Sequence, residues 1–260
     1  MPDGAGSDAI ANDSAMIVSE HTTRVFDTDL TRLTQLVAQM GGFAQKQVAD
    51  AIEALSRRDV ALARQVIAAD ATVDELQRQI EEKAVATIAL RQPMAIDLRA
   101  LVAMMRIAND LERIGDLAKN IGKRVTAVSG ESSQRTLMRG LRHMATLVVS
   151  QLAAVLDSFV DRNPAKALQV WQGDKEVDAL YVSLFRELLT CTMEDPGTIS
   201  MCIHHLFCAK NIERVGDHAT NIAEAVHYMV EGHAIAGERP KGDTSSYVLE
   251  TRITAARVPA

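Results

Sequence analysis

Residues 109–121 read NDLERIGDLAKNI, and residues 210–222 read KNIERVGDHATNI. The two phrases keep Glu112 with Glu213, Arg113 with Arg214, Gly115 with Gly216, Asp116 with Asp217 and Asn120 with Asn221 in step. A phrase of this length repeated with its glycine and acids in register marks an internal duplication, and a duplicated chain folds as two copies of one unit. The repeat reaches beyond the phrase: DATVD at 70–74 is answered by DKEVD at 174–178, an i, i+4 aspartate pair early in the middle segment of each half.

Breakers divide the chain into six long periodic segments, each long enough to make a helix of about 45 Å. The first runs from near Thr28 to Ser56 with Leu30, Leu33, Val37, Met40, Val48, Ile52 and Leu55 on one face. The second opens on Asp59, a good N-cap, and carries Leu62, Val66, Val73, Leu76 and Ile80. It stops at Gln92-Pro93, because the residue before proline is pushed out of the helical region. The third spans about 94–128, with Leu101, Met104, Ala108, Leu111, Gly115 and Ala118 tracing one seam. SGESSQ at 129–134 reads as a linker, and three more segments follow, 135–160, 165–193 and one ending near Gly232, separated by DRNP and EDPG. Apolar residues make up 47% of the chain and aromatics only 3%, a mixture suited to helix-on-helix packing. The expected fold is therefore all-α: two tandem three-helix bundles, residues 24–128 and 135–232, related by a pseudo-twofold axis. Residues 1–23 and 233–260, the latter gathering Gly, Pro and Ser without helical period, are expected to be flexible tails.

A formal charge of −6, from 28 basic and 34 acidic residues, leaves no electrostatic footprint for nucleic acid. The N-terminus lacks the basic start and apolar run of a secretion signal, and no stretch is expected to be apolar enough for membrane insertion. Cys191, Cys202 and Cys208 have no C-x-x-C spacing and fall in helical pattern, which fits buried thiols in a reducing cytoplasm.

Residues four apart on a helix lie about 40° apart around its axis, so Glu112, Asp116 and Asn120 form one stripe of oxygen ligands and Glu213, Asp217 and Asn221 another. Each stripe borders the apolar seam, within reach of Asp70 and Asp74, or of Asp174 and Asp178, on the adjacent middle helix. Like charges at i, i+4 cost an isolated helix roughly 0.2–0.5 kcal/mol and an interior glycine about 1 kcal/mol. Both halves carry both penalties. Glycine beside the acids lets a helix, a partner or an ion come close, and oxygen donors without sulfur suit Mg²⁺ or Mn²⁺, with iron also compatible. The plainer reading is a solvated acidic face balanced by Arg113 and Arg214. Matched aspartates on the neighbouring helix of both halves favour the cation site, although duplication preserves a phrase for packing as well.

Other constellations carry less. Glu224 and His227 have the E-x-x-H spacing of di-iron bundles, but the equivalent positions of the first half are Lys123 and Thr126. His204 and His205 point in different directions, and His218 reads either as an auxiliary ligand or as a surface residue. Phosphate-loop, dinucleotide-binding and zincin motifs are absent, as are nucleophile motifs.

LERIGDLAKNI and IERVGDHATNI, with RQPMAIDLRAL at 91–101 and FDTDLTRL at 26–33, resemble the PhoU family of bacterial phosphate-signalling regulators over about residues 24–232. That resemblance implies two three-helix bundles carrying metal ions or multinuclear clusters on E-x-x-x-D and D-x-x-x-D repeats, here Glu112, Asp116, Glu213, Asp217, Asp70, Asp74, Asp174 and Asp178. The metal it implies is iron, zinc, manganese or magnesium. It further implies a cytoplasmic, often homodimeric, non-catalytic negative regulator of the phosphate-starvation response. Such a regulator bridges the ATPase of the phosphate ABC transporter and the membrane sensor histidine kinase. Two other readings of the same residues stand beside this: a metal-dependent phosphohydrolase or di-iron carboxylate enzyme, and a metal-free helical scaffold.

Overall fold

The computed structural model describes residues 6–127, 135–239 and 242, with side chains from residue 26 onward in the first stretch and from 137 in the second. Its helices end where local chemistry ends them. α1 spans Gly6–Arg57 and α2 Val60–Arg91. Asp59, at φ −84° and ψ 97°, caps α2 by accepting the Leu62 amide at 2.9 Å. Gln92 closes α2 in the left-handed region at φ 47°, since Pro93 forbids it a helical conformation. α3 spans Ile96–Ala127, α4 Arg135–Val160 and α5 Pro164–Glu194. Asn163 caps α5 by accepting the Lys166 amide at 3.1 Å, with Pro164 in the first turn, where its missing N–H costs nothing. Asp195 caps a 3₁₀ turn, Pro196–Thr198, and α6 follows as Ile199–Glu231. Gly232 ends α6 at φ 84°, a conformation glycine adopts without steric penalty.

Two expectations need correction here. α1 begins at Gly6 rather than near Thr28, so residues 6–23 are helical instead of a tail. Neither glycine nor proline interrupts the chain from Ser7 to Met40, and extending a helix already held by its packed portion adds a hydrogen bond per residue without a new nucleus. The second concerns α4, which over Leu137–Val160 is long and apolar enough to cross a bilayer by length and composition, with mean hydropathy 1.4. Its charges cluster toward its ends, leaving Met144–Leu156 uncharged. In the fold those apolar residues turn inward: Leu137, Leu141, Met144, Val148, Leu152 and Phe159 are all buried. The linker expected at 129–134 lies outside the described residues.

α1, α2 and α3 pack pairwise into one bundle, and α4, α5 and α6 into the other. The bundles join along α3 against α6 and α1 against α4. The seam expected on α3 is the one observed, with Leu101, Met104, Ala108, Leu111, Gly115 and Ala118 all buried. At the α1–α4 crossing the helices approach closely at Gly41, where a Cβ would run into the Leu156 side chain. One apolar core runs through both bundles, from Leu33 and Met40 on α1 to Phe159 on α4 and Ile222 on α6. Because the halves share that core, the acidic stripe of each is held rigidly against its own middle helix.

Candidate functional site

In the first bundle α3 brings Glu112 and Asp116 against α2, which carries Asp70 and Asp74. Asp70 is 4% exposed, whereas Asp74 is exposed. The Lys119 ammonium joins the two helices, donating to Asp70 and, at 3.1 Å, to Asp116 Oδ1. Arg113 Nη1 lies 3.5 Å from Asp116 Oδ2, and its Nε lies 3.3 Å from Glu112 Oε2 without hydrogen-bond geometry. Burial raises the Glu112 pKa against the opposing charge of Arg113, and Asp116, Asp74 and Asp70 raise it further. Partial loss of water around the exposed Asp74 raises its carboxyl too, reinforced by Asp70, opposed by Lys119, and reinforced again by Asp116. The four carboxylates therefore stand within one another's field. Asn120 is exposed and takes no part in the hydrogen bonds that join the cluster.

The second cluster lies deeper. Asp174, Asp178 and Glu213 are 2%, 3% and 4% exposed. Lys210 donates to Glu213 Oε1 at 2.7 Å while its ammonium sits 4.8 Å from the centre of the Tyr181 ring. Burial pushes the Glu213 carboxyl up to about 7, opposed by Lys210 and reinforced by Asp217 and Asp178. Burial also raises Asp174, against the attraction of Arg239. Arg239 comes from beyond the end of α6, in the segment expected to be a free tail. Its Nε donates to Asp174 Oδ2 at 3.0 Å, its Nη2 to Asp217 Oδ1 at 2.6 Å, and its Nη1 to Asn221 Oδ1 at 3.4 Å. The Gly242 amide donates to Asp178 Oδ2 at 2.6 Å. Over its described part, then, this tail is docked on the acidic residues.

Two residues outside the acidic phrases complete the clusters. Gln47 on α1 donates to the Val66 carbonyl at 3.1 Å and more weakly to Asp70 Oδ1 at 3.5 Å. Gln151 on α4, its counterpart in the repeat, donates to the Gly173 carbonyl at 3.1 Å. Each Oε1 faces the glycine of its acidic phrase, 3.1 Å from a Cβ built at Gly115 and 3.8 Å from one at Gly216. The sequence offers a signal for both: a polar residue at a core-period position, in step in the two halves. Lys119 is legible only as a break in the repeat, since Thr220 stands in its place in α6. Nothing local in the sequence points to Arg239.

Among the described residues no three His, Cys, Asp or Glu side chains converge as a ready cage for one ion. Lys119 and Arg239 stand between the carboxylates instead. The donor set nevertheless fits a hard cation. Glu112 Oε2, Glu213 Oε2, Gln47 Oε1 and Gln151 Oε1 are buried and accept no hydrogen bond, and a buried acceptor left so costs roughly 1–3 kcal/mol. Burial of Asp70, Asp174, Asp178 and Glu213 also rules out the solvated-face reading for these residues.

The remaining candidates have ordinary partners except His204, whose buried Nδ1 makes no hydrogen bond. His218 Nδ1 lies 2.8 Å from Asp110 Oδ1, which also accepts from Asn221 at 3.2 Å, so this histidine ties α6 to α3 rather than joining the acidic cluster or facing solvent. The buried His205 sits with Nδ1 2.7 Å from the Met201 carbonyl. Glu224 accepts the Trp171 indole N–H at 2.9 Å, and His227 lies 3.2 Å from the His233 carbonyl, so the E-x-x-H pair does not act as a unit. Cys191, Cys202 and Cys208 are buried thiols, as their pattern suggested.

The PhoU domain profile matches residues 37–125 and 141–226, one copy per bundle. The chain is 54% identical over 226 residues to the phosphate-specific transport system accessory protein PhoU homolog of Rhizobium meliloti (strain 1021), covering 87% of this chain and 95% of that one. It is 48% identical to the protein of the same description from Caulobacter vibrioides (strain NA1000 / CB15N), covering 88% of this chain and all (100%) of the relative. Among solved structures, PhoU from Pseudomonas aeruginosa superposes with a TM-score of 0.77 at 38% identity, covering 80% of this chain and 100% of that one. The phosphate transport system regulatory protein PhoU from Streptococcus pneumoniae superposes with 0.76 at 28% identity, covering 82% and 100%.

Proposed function

The chain belongs to the PhoU family, and from that premise we propose that it is a metal-binding, non-catalytic accessory protein of phosphate transport. In this reading it acts in the cytoplasm, as a homodimer, to repress the phosphate-starvation response. It does so by coupling the ATPase of the phosphate ABC transporter to the membrane sensor histidine kinase. The names of its relatives, accessory and regulatory, support a regulator over an enzyme.

The observation that carries the metal reading is an acidic cluster in each half with buried, orphaned oxygens at its centre, on Glu112 and Gln47 in one and on Glu213 and Gln151 in the other. Asp70, Asp74, Glu112 and Asp116 would hold a divalent ion in the first bundle, and Asp174, Asp178, Glu213 and Asp217 in the second. Asn221 stands close enough to the second to take part. The ion supplies positive charge that cancels repulsion among about four carboxylates. The protein's own contribution is to hold α2 against α3, and α5 against α6, so that the outer helix faces keep one shape for a partner. The test is the double substitution Glu112→Ala and Asp116→Ala, equilibrated with excess Mn²⁺ and assayed by elemental analysis. The expected result is loss of metal from the first bundle with the second still loaded. Unchanged metal content would refute the ligand assignment. Deleting the gene should switch on phosphate-starvation genes in phosphate-rich medium, and unchanged repression would refute the regulatory reading.

A further inference from the structure

The two acidic clusters differ in where their positive charge comes from. In the first, Lys119 belongs to the same helix as Asp116 and reaches across to Asp70. In the second, the equivalent position is Thr220, fully buried, its hydroxyl 3.1 Å from the Gly216 carbonyl and 3.3 Å from Asp174 Oδ1. A threonine cannot neutralise the site. Lys210 on α6 pairs with Glu213, but the charge on Asp174 and Asp217 is met by Arg239, whose guanidinium spans Asp174, Asp217 and Asn221, while Gly242 reaches Asp178. The tail thus engages four of the five oxygen-bearing residues singled out in this half, and the fifth, Glu213, keeps a buried Oε2 without a donor. Gln151 Oε1, from a residue 8% exposed, is likewise unsatisfied and faces Gly216, the glycine between Glu213 and Asp217.

The approach of the tail is itself structured. Gly232 turns the chain at the end of α6, and Ile235 packs against the core. Ala234, Ile235, Gly237 and Arg239 then line a cleft of about 730 Å³ together with Trp171 and Tyr228. Arg239 is held at the end of this run with its side chain only 16% exposed.

We propose that residues 233–239, together with Gly242, are a built-in occupant of the second acidic cluster, with the Arg239 guanidinium standing where a divalent cation binds, so that tail docking and cation binding exclude each other. This rests on the metal-binding reading above and adds to it a difference between the halves. A divalent ion needs carboxylate oxygens at about 2.0–2.6 Å, along the lone pairs that Asp174 and Asp217 now turn to the guanidinium. Two cations cannot share those oxygens without repelling each other. Lys119 presents no comparable barrier: its ammonium, on a flexible stem, swings clear without any backbone movement. The first cluster therefore fills readily, and the second fills only as the tail leaves. By reciprocity, metal in the second cluster frees the tail.

The experiment is a Mn²⁺ titration of the metal-free, full-length chain by calorimetry, with amide hydrogen exchange of residues 233–239 followed in parallel. The wild type should show a tighter and a weaker class of site, and filling the weaker class should deprotect the tail. If the docked form is populated about nine-tenths of the time, it weakens apparent affinity about tenfold. Arg239→Ala should then tighten the weaker class by about that factor and deprotect the tail before any metal is added. Arg239→Lys, which keeps the charge but not the fork, should fall between. Lys119→Ala should change the tighter class alone. If Arg239→Ala leaves both classes unchanged and the tail stays protected at saturating Mn²⁺, the occupant proposal is overturned while the metal reading stands. Absence of Mn²⁺ binding from both wild type and Arg239→Ala overturns the metal reading, and the proposal with it.

Discussion

Replacing Glu213 by glutamine should make the metal-free protein more stable at neutral pH and abolish one part of its pH dependence. Burial lifts this carboxyl from its ordinary 4.5 to about 7. Between those values the folded state holds a proton that the unfolded chain has released, so stability falls as pH rises and levels off above 7. The shift corresponds to roughly 3 kcal/mol at most, at about 1.4 kcal/mol per pH unit, and relaxation of the site brings the expected effect to about 1–3 kcal/mol. Glutamine keeps the oxygen that accepts from Lys210 and removes the ionisation. Urea unfolding followed by circular dichroism at pH 5, 6, 7 and 8, in chelator, measures the difference directly. The two proteins should nearly match at pH 5, and the variant should gain on the wild type up to pH 8. Glu112 and Asp174 give slopes of their own, also through burial, but these are common to both proteins and cancel. A variant that loses stability with pH as steeply as the wild type would refute the argument.

The two phrase glycines should respond unequally to alanine. At Gly216 a Cβ meets only ordinary contacts at 3.5 Å and beyond, so Gly216→Ala should raise stability by about the 1 kcal/mol of helix propensity. At Gly115 it meets Gln47 Oε1 at 3.1 Å and Val73 at 3.3 Å, so Gly115→Ala should gain less or lose; equal melting shifts would refute the close approach. Phe159, 1% exposed, lies in the core common to both bundles. Phe159→Ala should cost about 3–5 kcal/mol and lower a single calorimetric transition rather than split off one half.

The duplication, the helix boundaries around Asp59, Gln92-Pro93, Asn163-Pro164 and Gly232, and the α3 seam were all legible in the sequence. Each depends on interactions within a few residues: a cap, a proline ring, a glycine's freedom, a period of 3.6. The same local rules placed Glu112 beside Asp116 and Glu213 beside Asp217 on their helices. They misplaced the start of α1, because the absence of a core face does not stop a helix that no breaker interrupts. What spacing could not decide was which charges meet. Asp70 reaches Asp116 through Lys119, and Asp174 reaches Asp217 through Arg239, only after α2 packs on α3 and the chain beyond α6 folds back across α5. Electrostatic partnership depends on distance in space and on exclusion of water, and both are set by contacts between segments far apart in the chain. Two nearly identical acidic phrases therefore end in different surroundings: Asp70 and Asp116 are balanced by Lys119 from the phrase's own helix, Asp174 and Asp217 by Arg239, a residue with no counterpart in the repeat.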